Sequence, residues 1–138
     1  MEFIRLVHPI NYDPNTGRFS DLEFKGKSSD GSGMSLVQWD CANEKSGVIC
    51  QHVADHYSDV AGTPVVFLKI REEDFPANVT LHHSPEFHPT KDECHWDART
   101  TNDKKLKDLR KRPVTDYFIC ENGVVRAVTS EDAASWSR

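Results

Sequence analysis

No apolar run in this chain is long enough to cross a bilayer, and Arg5 interrupts the only early one, Phe3-Ile4-Arg5-Leu6-Val7. The start of the sequence also lacks the charged-then-apolar pattern of a secretory signal. Positive charge is not in excess: 17 Lys and Arg stand against 22 Asp and Glu, for a net charge of −5. A global basic field suited to nucleic acid is therefore missing. No segment repeats at a fixed period, which argues against a solenoid. The recognised ligand spacings are absent too. There is no Cys-x-x-Cys, no His-Glu-x-x-His, and no Gly-Lys-Ser/Thr after the glycine-rich Gly31-Ser32-Gly33.

What remains is the composition of one globular domain. The chain has 138 residues, 37% apolar and 28% charged, enough to bury a core without staples. With no membrane span and no signal pattern, the expectation is a cytoplasmic protein. Its four cysteines, Cys41, Cys50, Cys94 and Cys120, would then be reduced thiols.

Strand one is expected over about 2–7, with Phe3, Arg5 and Val7 on one face and Ile4 and Leu6 on the other. His8-Pro9 stops it, because proline cannot donate to a ladder. Further strands are read near 34–39, 65–70, 79–83 and 95–100, the continuous β-branched run Val65–Ile70 being the candidate for the central one. Asn122-Gly123 between two apolar runs predicts a hairpin over 116–128, since both central residues must take positive φ. A helix is expected over about 47–60, capped by Ser46, with Ile49, Val53, His56 and Val60 on one stripe. A second, lysine-rich helix is expected over 102–112, lying on the surface because Leu106 and Leu109 make a narrow stripe. The reading is a single α+β domain over 1–129, with a mixed or mainly antiparallel sheet, two helices and a C-terminal β-hairpin. A flexible tail is expected over 130–138.

Four polar residues punctuate otherwise apolar segments: Arg5, His8, Ser35 and His95. A strand-borne arginine needs acceptors, either internal partners or an anionic ligand. His8 sits at a strand end, and His8 and His95 are the candidates for acid–base work near neutral pH. Ser35 follows a glycine-rich loop that lets backbone approach a ligand closely. Elsewhere, His52 and His56 are four apart on a predicted helix and can share a face. No third ligand at a recognised spacing joins them, so no metal site is expected.

The segments Arg5-Leu6-Val7-His8-Pro9, Gly33-Met34-Ser35-Leu36 and Cys94-His95-Trp96 before a lysine-rich helix resemble a group of small uncharacterised bacterial proteins. The resemblance draws attention to Arg5, His8, Ser35 and His95 but implies no activity. In order and separation, Arg5 and Ser35 are also similar to the basic residue and serine that flank NAD in ADP-ribosyltransferase-like folds, although neither Glu86 nor Glu93 is clearly placed as the glutamate.

The leading expectation is thus a binding or accessory domain with an anion-accepting pocket at the end of strand one, formed by Arg5, His8, Ser35 and His95. Its partner would be an anionic small molecule or a protein, without membrane or nucleic acid. One alternative is a small nucleotide-directed enzyme of ADP-ribosyltransferase-like type, using NAD; otherwise no cofactor is expected. The other is an interaction subunit using the basic helix 102–112.

Overall fold

The computed structural model describes residues 1–24, 33–59, 61–86, 91–100, 106 and 108–136. In chain order the strands are β1 (Glu2–Val7), β2 (Tyr12–Asp13), β3 (Arg18–Phe19), β4 (Met34–Gln38), β5 (Val66–Arg71), β6 (Thr80–His83), β7 (His95–Arg99), β8 (Tyr117–Glu121) and β9 (Val124–Ala127). Among the described residues the α-helices are α1 (Trp39–Ser46), α2 (Ile49–His56) and α3 (Ser130–Trp136). Seven strands form one antiparallel sheet in the order β6-β7-β4-β1-β5-β8-β9, and β2 and β3 make a separate pair. The expected α+β architecture with a C-terminal hairpin is the one observed. No helix among the described residues is long and apolar enough to cross a membrane.

β1 sits in the middle of the sheet, with β5 beside it. Its partners are unequal. Against β5 it pairs along its whole length, from Glu2↔Arg71 to Val7↔Val66. Against β4 it pairs only at Phe3↔Gln38 and Ile4↔Val37. The alternation of β1 divides the core as the pattern demands. Phe3 and Val7 enter a cluster with Phe19, Phe24, Leu36, Leu68 and Tyr117. Ile4 enters one on the other face with Val37, Ile49, Val53 and Phe67, beneath α1 and α2.

The helix expected over 47–60 is present as the shorter α2, and a further helix that was not expected, α1, precedes it. Gln38 ends β4 and caps α1, its Oε1 accepting the Cys41 N–H at 2.7 Å. α1 buries only Ala42, so no apolar stripe announces it. α1 stops at Gly47, and α2 starts after Val48 rather than Ser46, with Asn43 Oδ1 taking the Ile49 N–H at 2.9 Å. In the region of the expected helix 102–112, residues 101–105 and 107 lie outside those described. Asp108–Lys111 is a 3-10 turn, and Leu106 and Leu109, the residues of the expected apolar stripe, are buried. The expected tail is also ordered over Ser130–Trp136. Trp136 packs against Tyr12 and Phe19, with ring centroids 5.9 and 6.1 Å apart. The hairpin forms as expected, with φ of 54° at Asn122 and 78° at Gly123.

The cysteines are paired, contrary to the expectation of free thiols. Cys41 in α1 is bonded to Cys94 just before β7, and Cys50 in α2 to Cys120 in β8, with Cα–Cα distances of 5.5 and 5.8 Å. The pairing is a tertiary event: 53 and 70 residues separate the partners, and no local spacing signals it. It also removes the physical ground for placing the chain in a reducing compartment.

Candidate functional site

The four residues singled out by sequence are not gathered into one cleft. Arg5 shares its face of β1 with Phe3 and Val7. Its Nε donates to the Glu23 carbonyl at 2.8 Å and its Nη1 to the Ser35 carbonyl at 3.1 Å. Burial lowers its pKa, and the nearby Glu23 carboxylate works in the opposite direction. The guanidinium thus takes a backbone acceptor beside the short β1–β4 ladder, and its acceptors are internal. His8, at the end of β1, gives its backbone N–H to Glu23 Oε1 at 3.0 Å, and the same oxygen accepts Asn11 Nδ2 at 2.7 Å. The His8 ring packs on Gly62, where a Cβ would fall 2.9 Å from Nδ1 and where φ is 73°. Glycine is required at that contact.

Ser35 and His95 lie on the opposite face of the sheet from Arg5. Ser35 pairs with Asp97, and His95 with Val37 of the helix-side core. His95 is buried, and its Nδ1 donates to the Ser84 carbonyl at 2.8 Å, which fixes that tautomer. Its Nε2 stands 4.0 Å from Asp97 Oδ1. An ADP-ribosyltransferase-like arrangement requires the Arg5 and Ser35 side chains on one surface, whereas here the sheet separates them. Glu86 is exposed, and Glu93 is exposed in an ion pair with Lys45.

A polar network that sequence reasoning did not assemble lies between the helices and the segment before β7. His52 and Asp92 are 1% and 2% exposed. His52 Nε2 donates to Asp92 Oδ2 at 2.9 Å, and its Nδ1 faces Ser46 Oγ at 3.0 Å. The Tyr57 hydroxyl also donates to Asp92 Oδ2, and the Cys94 N–H to Oδ1 at 2.9 Å. Burial alone would push the Asp92 carboxyl up. The three hydrogen bonds, from His52, Tyr57 and Cys94, outweigh it and hold the carboxyl well below the usual carboxylate range. Burial and the Asp92 hydrogen bond raise Tyr57 far above an ordinary phenol. Asp92 stays ionised and accepts the His52 Nε2–H, while the Ser46 hydroxyl lies within hydrogen-bond reach of Nδ1. His56, one turn on, stacks near His52 with ring centroids 4.4 Å apart. The His52/His56 spacing was the only sequence signal for this network, because Asp92 lies 40 residues away in a loop.

The end of β1 does open onto a concavity. A groove of about 500 Å³ is walled by Pro9, Ile10, Pro64, Ile119 and Trp136, with Arg126 and Asp132 among its polar groups. Arg126 binds both Asp132 oxygens, Nη1 to Oδ2 at 2.7 Å and Nη2 to Oδ1 at 2.9 Å, and also Glu121 at 2.8 Å. One guanidinium between two carboxylates leaves the groove a net negative charge. Ile10 on its rim is 86% exposed.

No protein-family model matches the chain, and neither a curated protein nor a solved structure matches it.

Proposed function

We propose that the chain is a binding domain whose groove at the end of β1 receives a short segment of a protein partner. The observation that carries this reading is the 500 Å³ groove between Pro9, Pro64, Ile119 and Trp136, with Ile10 fully presented beside it. Its size and the apolar side chains of Pro9, Ile10, Pro64, Ile119 and Trp136 on part of its wall suit an anchoring side chain, while the polar remainder, Thr63, Glu121, Arg126, Asp132 and Ser135, suits orientation. The acidic balance favours a lysine or arginine next to that anchor over an anionic ligand, because Arg126 is already occupied by Asp132 and Glu121. The two disulfides fit work in an oxidising environment rather than the cytosol.

The test is selection of peptides from a random display library on the full oxidised chain, followed by calorimetry of the enriched sequences. Enriched peptides should pair an apolar residue with a basic one. Ile10→Ser and Glu121→Lys should each weaken binding at least about 10-fold while leaving the melting temperature nearly unchanged. A selection with no enrichment, or peptides that bind both variants as well as the parent, would overturn the reading.

A further inference from the structure

We infer that His52, His56 and Asp92 form a binding site for one divalent transition-metal ion, of which zinc is the natural occupant. The three residues each offer a ligand atom, and these atoms lie within 4.8 Å of one another. His52 and His56 are one turn apart on α2, so both rings leave the same side of the helix. Asp92 comes from the segment that the Cys41–Cys94 disulfide ties to α1. Two imidazoles and a carboxylate are the donor set of an open tetrahedral zinc site, whose fourth position goes to water. With metal–ligand distances of about 2.0–2.2 Å, donors of a tetrahedral site sit about 3.3–3.6 Å apart, so His52 Nε2 and Asp92 Oδ2, now 2.9 Å apart, must open slightly and the widest separation in the cluster, up to 4.8 Å, must close by about 1 Å.

The groups behind the ligands are already in place, which separates this cluster from a chance meeting of side chains. Ser46 Oγ is 3.0 Å from the non-ligating Nδ1 of His52. Without metal, His52 Nε2–H donates to Asp92, and Ser46 Oγ lies against Nδ1. With metal, Nε2 must present its lone pair. The ring proton then sits on Nδ1 and is donated to Ser46 Oγ, a hydroxyl able to play both parts. The Cys94 N–H holds Asp92 Oδ1, and the Tyr57 hydroxyl supports Oδ2, so the carboxylate is oriented from two sides. His52 and Asp92 are buried and His56 is half-buried, which makes the His56 side the entry route. The paired cysteines offer no thiolates to compete for the ion.

The experiment is calorimetric titration of ZnCl₂ into the full, oxidised, EDTA-treated chain, with cobalt absorption spectra as a second readout. One ion per chain should bind, with the visible bands of four-coordinate cobalt, and zinc should raise the melting temperature. His56→Ala, at a half-exposed position, should abolish the cobalt bands and the thermal shift. Ser46→Ala should keep the stoichiometry and weaken binding roughly 10- to 100-fold. His83→Ala, on β6, should change nothing. If zinc does not bind, or if His56→Ala binds it as the parent does, the inference falls. It also falls if His83→Ala is as damaging as His56→Ala.

Discussion

Removing the Cys50–Cys120 bond tests how the helices are held to the sheet. The perturbation is the double substitution Cys50→Ala/Cys120→Ala. In the chain-entropy account, a cross-link spanning 70 residues restricts the unfolded chain by roughly 4.4 kcal/mol at 25 °C. The 53-residue separation of Cys41 and Cys94 gives roughly 4.2 kcal/mol. Native disulfides usually deliver less, so the expected loss for the alanine pair is about 2–4 kcal/mol. For a chain of this size that corresponds to a fall of roughly 8–15 °C in melting temperature. The loops 41–94 and 50–120 overlap, so removing both bonds should cost less than the sum, each closure having shortened the other's path. The assay is urea unfolding of the parent and of the alanine pair, with thiol titration of the unfolded, unreduced parent. That titration should find no thiols before reduction and four after it. Four titratable thiols without reductant, or an alanine pair with the parent's midpoint, would refute the reasoning.

Arg5→Met should lower stability by about 2–4 kcal/mol in the same urea assay, because it strands the Glu23 and Ser35 carbonyls. Arg5→Lys should not restore it, since one ammonium cannot reproduce the planar two-donor reach; a parent-like midpoint for either variant would contradict the role given to Arg5. Asp92 has a folded pKa below its unfolded one, so its stabilisation is present above about pH 4 and fades as pH falls through that value toward the folded one. Melting curves of the metal-free chain should therefore drop on acidification, and Asp92→Asn should flatten that limb. Parallel acid limbs for the two proteins would show that the carboxylate carries none of it.

Much of the sheet could be read from residues alone, because its signals are local. β1 shows its alternation, β5 its β-branched run, and β8–β9 the Asn-Gly turn. α1 could not be read, since Trp39–Ser46 buries only Ala42 and is held by its Gln38 cap and its covalent bond to Cys94. The disulfides escaped for the same reason, their partners meeting only once the sheet has formed. The polar residues were a different kind of error. Arg5, His8, Ser35 and His95 stand out in sequence because they break apolar runs, yet three of them answer backbone groups: Arg5 meets two carbonyls, His95 meets the Ser84 carbonyl, and Ser35 supplies one of the carbonyls Arg5 uses. His52 looked ordinary because its meaning depends on Asp92 and Ser46, which reach it across two loops.

The shortness of the β1–β4 ladder has a mechanical side. It leaves the sheet as two panels, β6-β7-β4 and β1-β5-β8-β9, stitched along a thin seam. One disulfide fastens the helical pair at the edge of the first panel, through Cys94, and the other fastens it to the second, through Cys120. The consecutive helices therefore run as a covalent strap over the line where the sheet is easiest to part. If the seam opens, the panels swing apart only as far as the strap allows and close in the same register. A hinge of that kind fails softly, with amide exchange quickening along β4 well before the rest of the sheet lets go.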